Sequence, residues 1–300
     1  MDAVCPEEQL STTASIALSL WFTLSGLAAV AGNAMVLWLF YKSESLRTIS
    51  NRFLASMSVA DLFVGLVIDP IWIASYCLIQ PSADNDMLFF TDMLWVHTTT
   101  ATTFCLCCVS VDRFIAIRFP FRYQEIITKK RCYTVITLVW LFSLALPFSM
   151  MLVNNDEDDT ALWLSLAFLI YVTPLFVVSI SYIFMLKEAR HQCRRIAPRK
   201  NYLNHNNRRV RIVKNYKAIK TVGIVLGVYV VSWMPSLILL LVQCYHLVAN
   251  NLCESDEIDA VVWPWVEAIA FTSSAINPLI YYFRNKEFRL AFRRTFRWLR

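Results

Sequence analysis

The sequence predicts an all-α membrane protein: a seven-transmembrane helix bundle with a short amphipathic eighth helix. Three observations carry that reading. Of 300 residues, 57% are hydrophobic and 17% charged, and mean hydropathy is +0.49, a balance that leaves a soluble domain short of polar surface. Seven apolar stretches, about 13–41, 53–78, 87–111, 132–153, 161–186, 219–246 and 260–283, each reach the roughly 20 residues needed to cross the hydrocarbon core as a helix. All 28 Lys and Arg residues fall within 42–52, 113–131, 187–220 and 284–300, which are alternate connections plus the C-terminal segment.

The positive-inside rule makes the basic side cytoplasmic and the N-terminus extracellular. The opposite connections carry Asp2, Glu7, Glu8, Asp84, Asp86, Asp156, Glu157, Asp158, Asp159, Glu254, Asp256, Glu257 and Asp259, and no Lys or Arg. A net charge of +6 therefore describes a polarised membrane molecule, not a nucleic-acid binder. No basic n-region precedes the first stretch, so it reads as a retained anchor. With their polar ends, the helices are expected at about 13–41, 49–78, 85–118, 130–153, 161–192, 209–246 and 258–283, with the amphipathic helix at 285–298. Neither a repeat nor a low-complexity segment interrupts the single domain, 1–300.

Helix one contains Asn33, which by itself reads as an interhelical hydrogen bonder. Helix two carries Asp61 near mid-depth, where a carboxylate costs roughly 2.5–3.5 kcal/mol to insert and must face the bundle. Helix three offers Asp92, Trp95, Val96, His97 and a run of threonines, most of which serve close packing. Asp92, Trp95 and Thr99 recur at three- and four-residue spacing and share a face. At its basic end the helix reads Asp112-Arg113-Phe114, with Pro120-Phe121 six positions on. An adjacent acid and base can neutralise each other while packed, although a basic patch at the membrane edge arises in most membrane proteins.

Helix four has Trp140 and Pro147, and helix five has Pro174 with Tyr182 eight residues later. Helix six carries Ser232-Trp233-Met234-Pro235; by periodicity alone Trp233 could be an ordinary core residue. Cys244 and Cys253 bracket the following connection and could pair in an oxidising compartment, with Cys5 a competitor. Helix seven contains Glu267, Phe271, Ser273 and Asn277-Pro278-Leu-Ile-Tyr281. Phe288, Phe292 and Phe296 then recur every four residues among basic ones, the pattern of a helix lying on the inner leaflet.

Asp112-Arg113-Phe114 with Pro120-Phe121, Asn33, Leu-Ala-Ser-Met-Ser-Val-Ala-Asp61, Pro174 with Tyr182, Trp233-Met-Pro235 and Asn277-Pro278-x-x-Tyr281 together resemble the rhodopsin-like G-protein-coupled receptors. The match covers essentially 14–298, and the text of helices three and six is similar to amine and trace-amine receptors. The resemblance implies a multi-pass plasma-membrane receptor that couples an extracellular ligand to nucleotide exchange on a heterotrimeric G protein. It implies coupling and switch roles for Asp112, Arg113, Pro120, Phe121, Tyr182, Pro235, Pro278 and Tyr281. It also implies a sodium ion held by Asp61 with Asn33, Thr102, Ser273 and Asn277; no other cofactor is expected.

Four positions depart from the family pattern. The cysteine at the outer end of helix three is replaced by Leu88, and the connection at 151–160 also lacks one. Amine receptors place an aspartate where Trp95 stands. Asn215 takes the place of a glutamate that latches the arginine in many relatives. Phe271 stands where an opsin needs its lysine.

The ligand is expected to be a cationic small molecule or basic peptide. The acidic outer side would concentrate it. Asp92 and Glu267 would orient it, Glu267 lying about 15 Å above Asn277 along the helix, with Trp95 and Trp233 as cation–π faces and Val96, Thr99 and Phe271 as lining. A solvated Asp92 and a helix-bonded Glu267 are the bland readings, and a neutral lipid is the rival ligand. Asp61, Asp92 and Glu267 could also form the ion path of a transporter, but the repeat symmetry of transporters is missing. An enzyme is not expected: zinc-ligand spacing, a phosphate loop and a nucleophile–base pair are all lacking.

Overall fold

A computed structural model describes residues 10–78, 85–152, 156–196, 202–249, 251 and 258–296. The described residues form helices and turns without a strand. Helix α1 spans Thr12–Lys42. Helix α2 runs through Ile49–Phe63, Val64–Ile68, Asp69–Trp72 and Ile73–Leu78. Helix α3 is Asn85–Arg118, followed by a loop with the single turn Tyr123–Ile126. Helix α4 is Lys129–Ala145, ending in the 3₁₀ segment Leu146–Leu152 that contains Pro147. Helix α5 joins Asp156–Ala167, Phe168–Val172 and Thr173–Ile196. Helix α6 is Tyr202–Val248, α7 joins Ile258–Val262 to Trp263–Arg284, and α8 is Lys286–Thr295.

Six helices are long and apolar enough to cross a membrane. The seventh, α7, is long enough at about 40 Å but interrupts its apolar surface with Glu267, Thr272, Ser273, Ser274 and Asn277. Large side chains such as Leu20, Leu24, Leu27, Ile238 and Leu241 point outward, as a lipid-facing surface requires. Capping hydroxyls fix several starts: Ser11, Thr48 and Thr128 accept bonds from the backbone N–H three residues on, at 3.2–3.3 Å.

Four segments of α2, α5 and α7 widen to π-helical geometry, and three of them end two residues before a proline: Pro70, Pro174 and Pro264. Proline lacks an N–H and clashes with the carbonyl four residues back, so a wider turn relieves the crowding and leaves a carbonyl to be satisfied. In α5 the relief is completed from α6. The Tyr229 hydroxyl donates to the carbonyls of Ile170 (3.4 Å) and Tyr171 (3.1 Å).

Helix α1 packs on α2 and α7, α3 on α2, α4 and α5, and α6 on α5 and α7. Two glycines set the closest approaches of α1. A Cβ on Gly65 would lie 2.6 Å from the Gly26 carbonyl, and one on Gly32 would lie 2.8 Å from the Pro278 ring. Backbone cannot yield as a flexible side chain can, so Gly65→Ala is expected to destabilise by about 1–3 kcal/mol, the usual cost of overpacking. Thermal unfolding of the purified receptor in detergent checks this; an unchanged midpoint would show that α1 and α2 separate at no cost.

At the basic end, α8 buries Phe288 and Ala291 against Val36, Leu39, Leu46 and Tyr281, while Arg289, Arg293 and Arg294 stay on the other side. Its start is fixed by Asn285, whose side chain accepts from the Glu287 N–H at 2.9 Å.

Candidate functional site

Three layers of polar and aromatic side chains run through the bundle. The first lies at the basic end, where Asp112 is 2% exposed and Arg113 33%. Arg113 donates to Asp112 Oδ2 through Nη2 (2.8 Å) and Nε (3.1 Å). Ser50, at the start of α2, donates to the same oxygen at 2.5 Å. Tyr123, from the loop turn, donates to Oδ1 at 2.6 Å and lies 3.1 Å from Ser50. Burial, and then the bond it gives to Asp112, push the Tyr123 hydroxyl up to about 12, so it remains a donor at physiological pH. One carboxylate thus gathers donors from α2, α3 and the loop, which holds Arg113 along its own helix.

The other expected switch residues have separate partners. Tyr182 packs with Ile117, Met185, Ala189 and Ile219, its ring lying against Gly223 of α6. The Tyr281 hydroxyl is 3.3 Å from Met57 Sδ. Arg113, Tyr182 and Tyr281 therefore each have different partners. Phe121 is 88% exposed on the loop after Pro120. The Asn215 side chain lies outside the described residues.

The second layer is the polar core. Asp61 is fully buried and accepts from Ser274 Oγ (2.9 Å) and Asn277 Nδ2 (2.8 Å). Asn33 Nδ2 donates to the carbonyls of Ala29 (2.9 Å) and Ser274 (3.0 Å), tying α1 to α7 beside it. Thr102 and Ser273 do not bond to Asp61. They line a cavity of about 20 Å³ with Met57, Tyr229, Trp233 and Asn277, and their hydroxyls are buried without a hydrogen-bond partner among the described residues. A cavity of this size admits a water or a small ion. Pro235 and Pro278 lie inside continuous helix.

The third layer lies toward the acidic end and is aromatic. Trp95 meets Trp163 (6.1 Å between ring centroids), Tyr171 (6.3 Å) and Trp263 (6.5 Å). Trp233 meets Tyr171 (6.1 Å) and Phe271 (6.3 Å), and Phe271 meets Trp72 (6.3 Å). Val96, Thr99 and Glu267 are buried as well, Glu267 to 4% exposure, while Asp92 is half-buried. Trp95, Val96, Trp233 and Phe271 share one core cluster. Cys244 is buried at the outer end of α6; Cys253 and Cys5 lie outside the described residues.

Several participants escaped the sequence reading. Ser50 and Tyr123 complete the Asp112 cluster, Ser274 replaces Ser273 as the partner of Asp61, and Trp163, Tyr171 and Trp263 build the aromatic layer. Asp69 was also passed over. It is 3% exposed, its Oδ1 has no hydrogen-bond partner among the described residues, and a Cβ on Gly26 would lie 2.7 Å from Oδ2.

The family model of the seven-transmembrane receptors of the rhodopsin family matches residues 32–281. The chain belongs to that family and is a G-protein-coupled receptor of the plasma membrane, not an enzyme. It is 29% identical to mouse trace amine-associated receptor 9 over 89% of this chain and 81% of that one. It is 26% identical to the human histamine H2 receptor (95% and 81%) and 26% identical to the dog adenosine receptor A2a (90% and 69%). Family membership sets aside the transporter reading.

Proposed function

We propose that the receptor is activated by a cationic small molecule or basic peptide entering from the acidic side, and that it promotes nucleotide exchange on a heterotrimeric G protein at the basic side. The observation that carries the coupling half is the Asp112 cluster. It holds Arg113 against its own helix and links it to the loop that bears the exposed Phe121. A ligand that binds the open state better releases this cluster by population shift, freeing Arg113 to meet the G protein. The basic side is then cytoplasmic and the N-terminus extracellular. Guanine-nucleotide exchange on purified receptor with several G proteins is the test; no exchange with any of them, under any cationic agonist, would reject coupling.

For the ligand half, the support is a buried Glu267 one helical turn from Trp263 and an outer side rich in carboxylates. Trace amines and histamine, which name two of the relatives, are consistent with a cation, but Trp95 removes the helix-three aspartate. The anchor here is Glu267, with Asp92 at the rim. A neutral lipid would make no use of the Glu267 charge. A Cys244–Cys253 bridge belongs to the same proposal; non-reducing peptide mapping tests it, and a linkage through Cys5 is the contrary result.

The proposal includes a sodium ion at the polar core, beside the cavity that Thr102, Ser273 and Asn277 line. Asp61 supplies the charge, Thr102, Ser273 and Asn277 supply oxygens, and Asn33 braces the neighbouring carbonyl. A bound cation would compensate the buried carboxylate and favour the closed state. Sodium chloride is expected to lower agonist affinity relative to N-methylglucamine chloride at the same ionic strength, and Asp61→Asn to abolish the difference. Equal wild-type affinities in the two salts would dismiss the site.

A further inference from the structure

We propose that the ligand carries a neutral hydrogen-bond acceptor alongside its cationic centre, so that the aromatic layer recognises an amine ester, amide or ring-nitrogen compound better than a bare amine. The inference rests on the cationic reading above and refines it. Its basis is a set of buried donors around the aromatic layer. Trp95 Nε1, Thr99 Oγ1, Tyr171 OH and Ser236 Oγ are all buried, and none has a hydrogen-bond partner among the described residues.

These four belong to one region. Thr99 lies one turn from Trp95 on the same face of α3. The Trp95 and Tyr171 rings are in contact. The Tyr171 and Ser236 side chains interact with each other, so the donors left for a ligand are first of all Trp95 Nε1 and Thr99 Oγ1. Tyr171 is also within electrostatic reach of Glu267, so donors and carboxylate can address opposite ends of one small molecule.

Ser58, Ser75 and Thr100 are also buried without a partner among the described residues, whereas many other hydroxyls bond locally. Thr98, Thr103, Ser110 and Thr272 satisfy themselves on the carbonyl four residues back, at 2.6–2.9 Å. Tyr229 reaches the freed carbonyls of α5, and Trp263 Nε1 donates to Gln243 at 2.7 Å. Thr102 and Ser273 belong to the cavity below. Burying a donor unpaired is costly, so an unsatisfied group in a native site calls for a specific reason. An indole N–H can only donate, and the complement to Trp95 is therefore an acceptor.

Electrostatics decides which acceptor. Every Lys and Arg lies in the four segments at the basic side, so nothing cationic neighbours these donors. A carboxylate brought in beside Glu267 and past the acidic outer connections would be repelled. A carbonyl or ring nitrogen takes the same bonds without that cost.

The test uses matched triplets built on phenyl, indole and imidazole rings. For the phenyl set these are phenylethylamine, phenylalanine methyl ester and phenylalanine, giving a bare amine, a neutral acceptor and an anionic acceptor. Receptor activation and thermal stabilisation of the purified receptor are both read. The ester is expected to be the most potent member, by about 5- to 10-fold over the amine for one or two recovered hydrogen bonds. Trp95→Phe and Tyr171→Phe keep the rings but remove the donors. Each should lower ester potency by more than amine potency, bringing the ester-to-amine ratio toward one.

If amine and ester are equipotent on the wild type, or both variants leave the ester unaffected, the acceptor inference is overturned while the cationic reading stands. If phenylalanine is the best ligand, the neutral-acceptor choice is wrong. If no member of any triplet binds, or Glu267→Gln changes none of them, the cationic reading fails and takes this inference with it.

Discussion

Asp112→Asn is expected to raise basal nucleotide exchange about tenfold at equal receptor number. The carboxylate accepts from Arg113 twice, from Ser50 and from Tyr123. Neutralising it removes charge assistance from all four bonds. Hydrogen bonds to a charged group contribute about 1.5–3 kcal/mol each, but Arg113 is one-third exposed, so solvent screening reduces its share. A net loss of about 1.4 kcal/mol already shifts the closed-to-open ratio tenfold, for instance from roughly 100:1 to 10:1. Tyr123→Phe and Ser50→Ala each delete one donor and leave the Asp112–Arg113 pair, so their basal increases should be smaller. Exchange by reconstituted receptor without agonist measures all three. Basal output of Asp112→Asn equal to wild type would mean that this cluster does not hold the closed state.

Why was Asp112 legible in the sequence and its partners not? Asp112 and Arg113 are adjacent and sit at the end of an apolar run, so both the chemistry and the location can be read. Ser50 is 62 residues away and Tyr123 is 11 residues on, in a loop turn whose path depends on packing. Nothing in the local text of either says that its hydroxyl points at a carboxylate. The same limit applies at Asp61. Ser273 and Ser274 lie four and three residues before Asn277, and both fall near its face of α7. Which one meets Asp61 depends on the rotation of the helix, and that is fixed by contacts such as Gly32 against Pro278.

Asp69 is a different kind of omission. Like Asp61, it is a carboxylate inside an apolar crossing. Its place before Pro70, beside a π-helical segment, was an additional signal. Three of the four π segments could likewise have been anticipated from the prolines that follow them by two residues. The aromatic layer was half legible. Trp95 and Trp233 stand at recognisable motif positions, whereas Trp163, Tyr171 and Trp263 are brought to them only by the packing of α5 and α7 around α3.

Glu267→Gln is expected to cut the potency of cationic agonists by about 30- to 100-fold while leaving expression near normal. Gln keeps the size and hydrogen-bonding outline of the side chain and removes only the charge. At 4% exposure, Glu267 meets a ligand cation in a desolvated setting, where losing one partner of a hydrogen-bonded charge pair costs about 2–5 kcal/mol. The lower end of that range corresponds to the stated loss in potency. Asp92 differs in kind: it is half-buried at the outer rim, so solvent and salt screen it. Asp92→Asn should therefore cost only about fivefold or less, through a slower, salt-sensitive approach of the ligand. Concentration–response curves for a charged agonist on wild type, Glu267→Gln and Asp92→Asn, repeated at low and high ionic strength, separate the two roles. An agonist series whose best member is uncharged, or whose potency is the same on wild type and Glu267→Gln, would remove the cation anchor and leave the neutral-lipid ligand as the better reading.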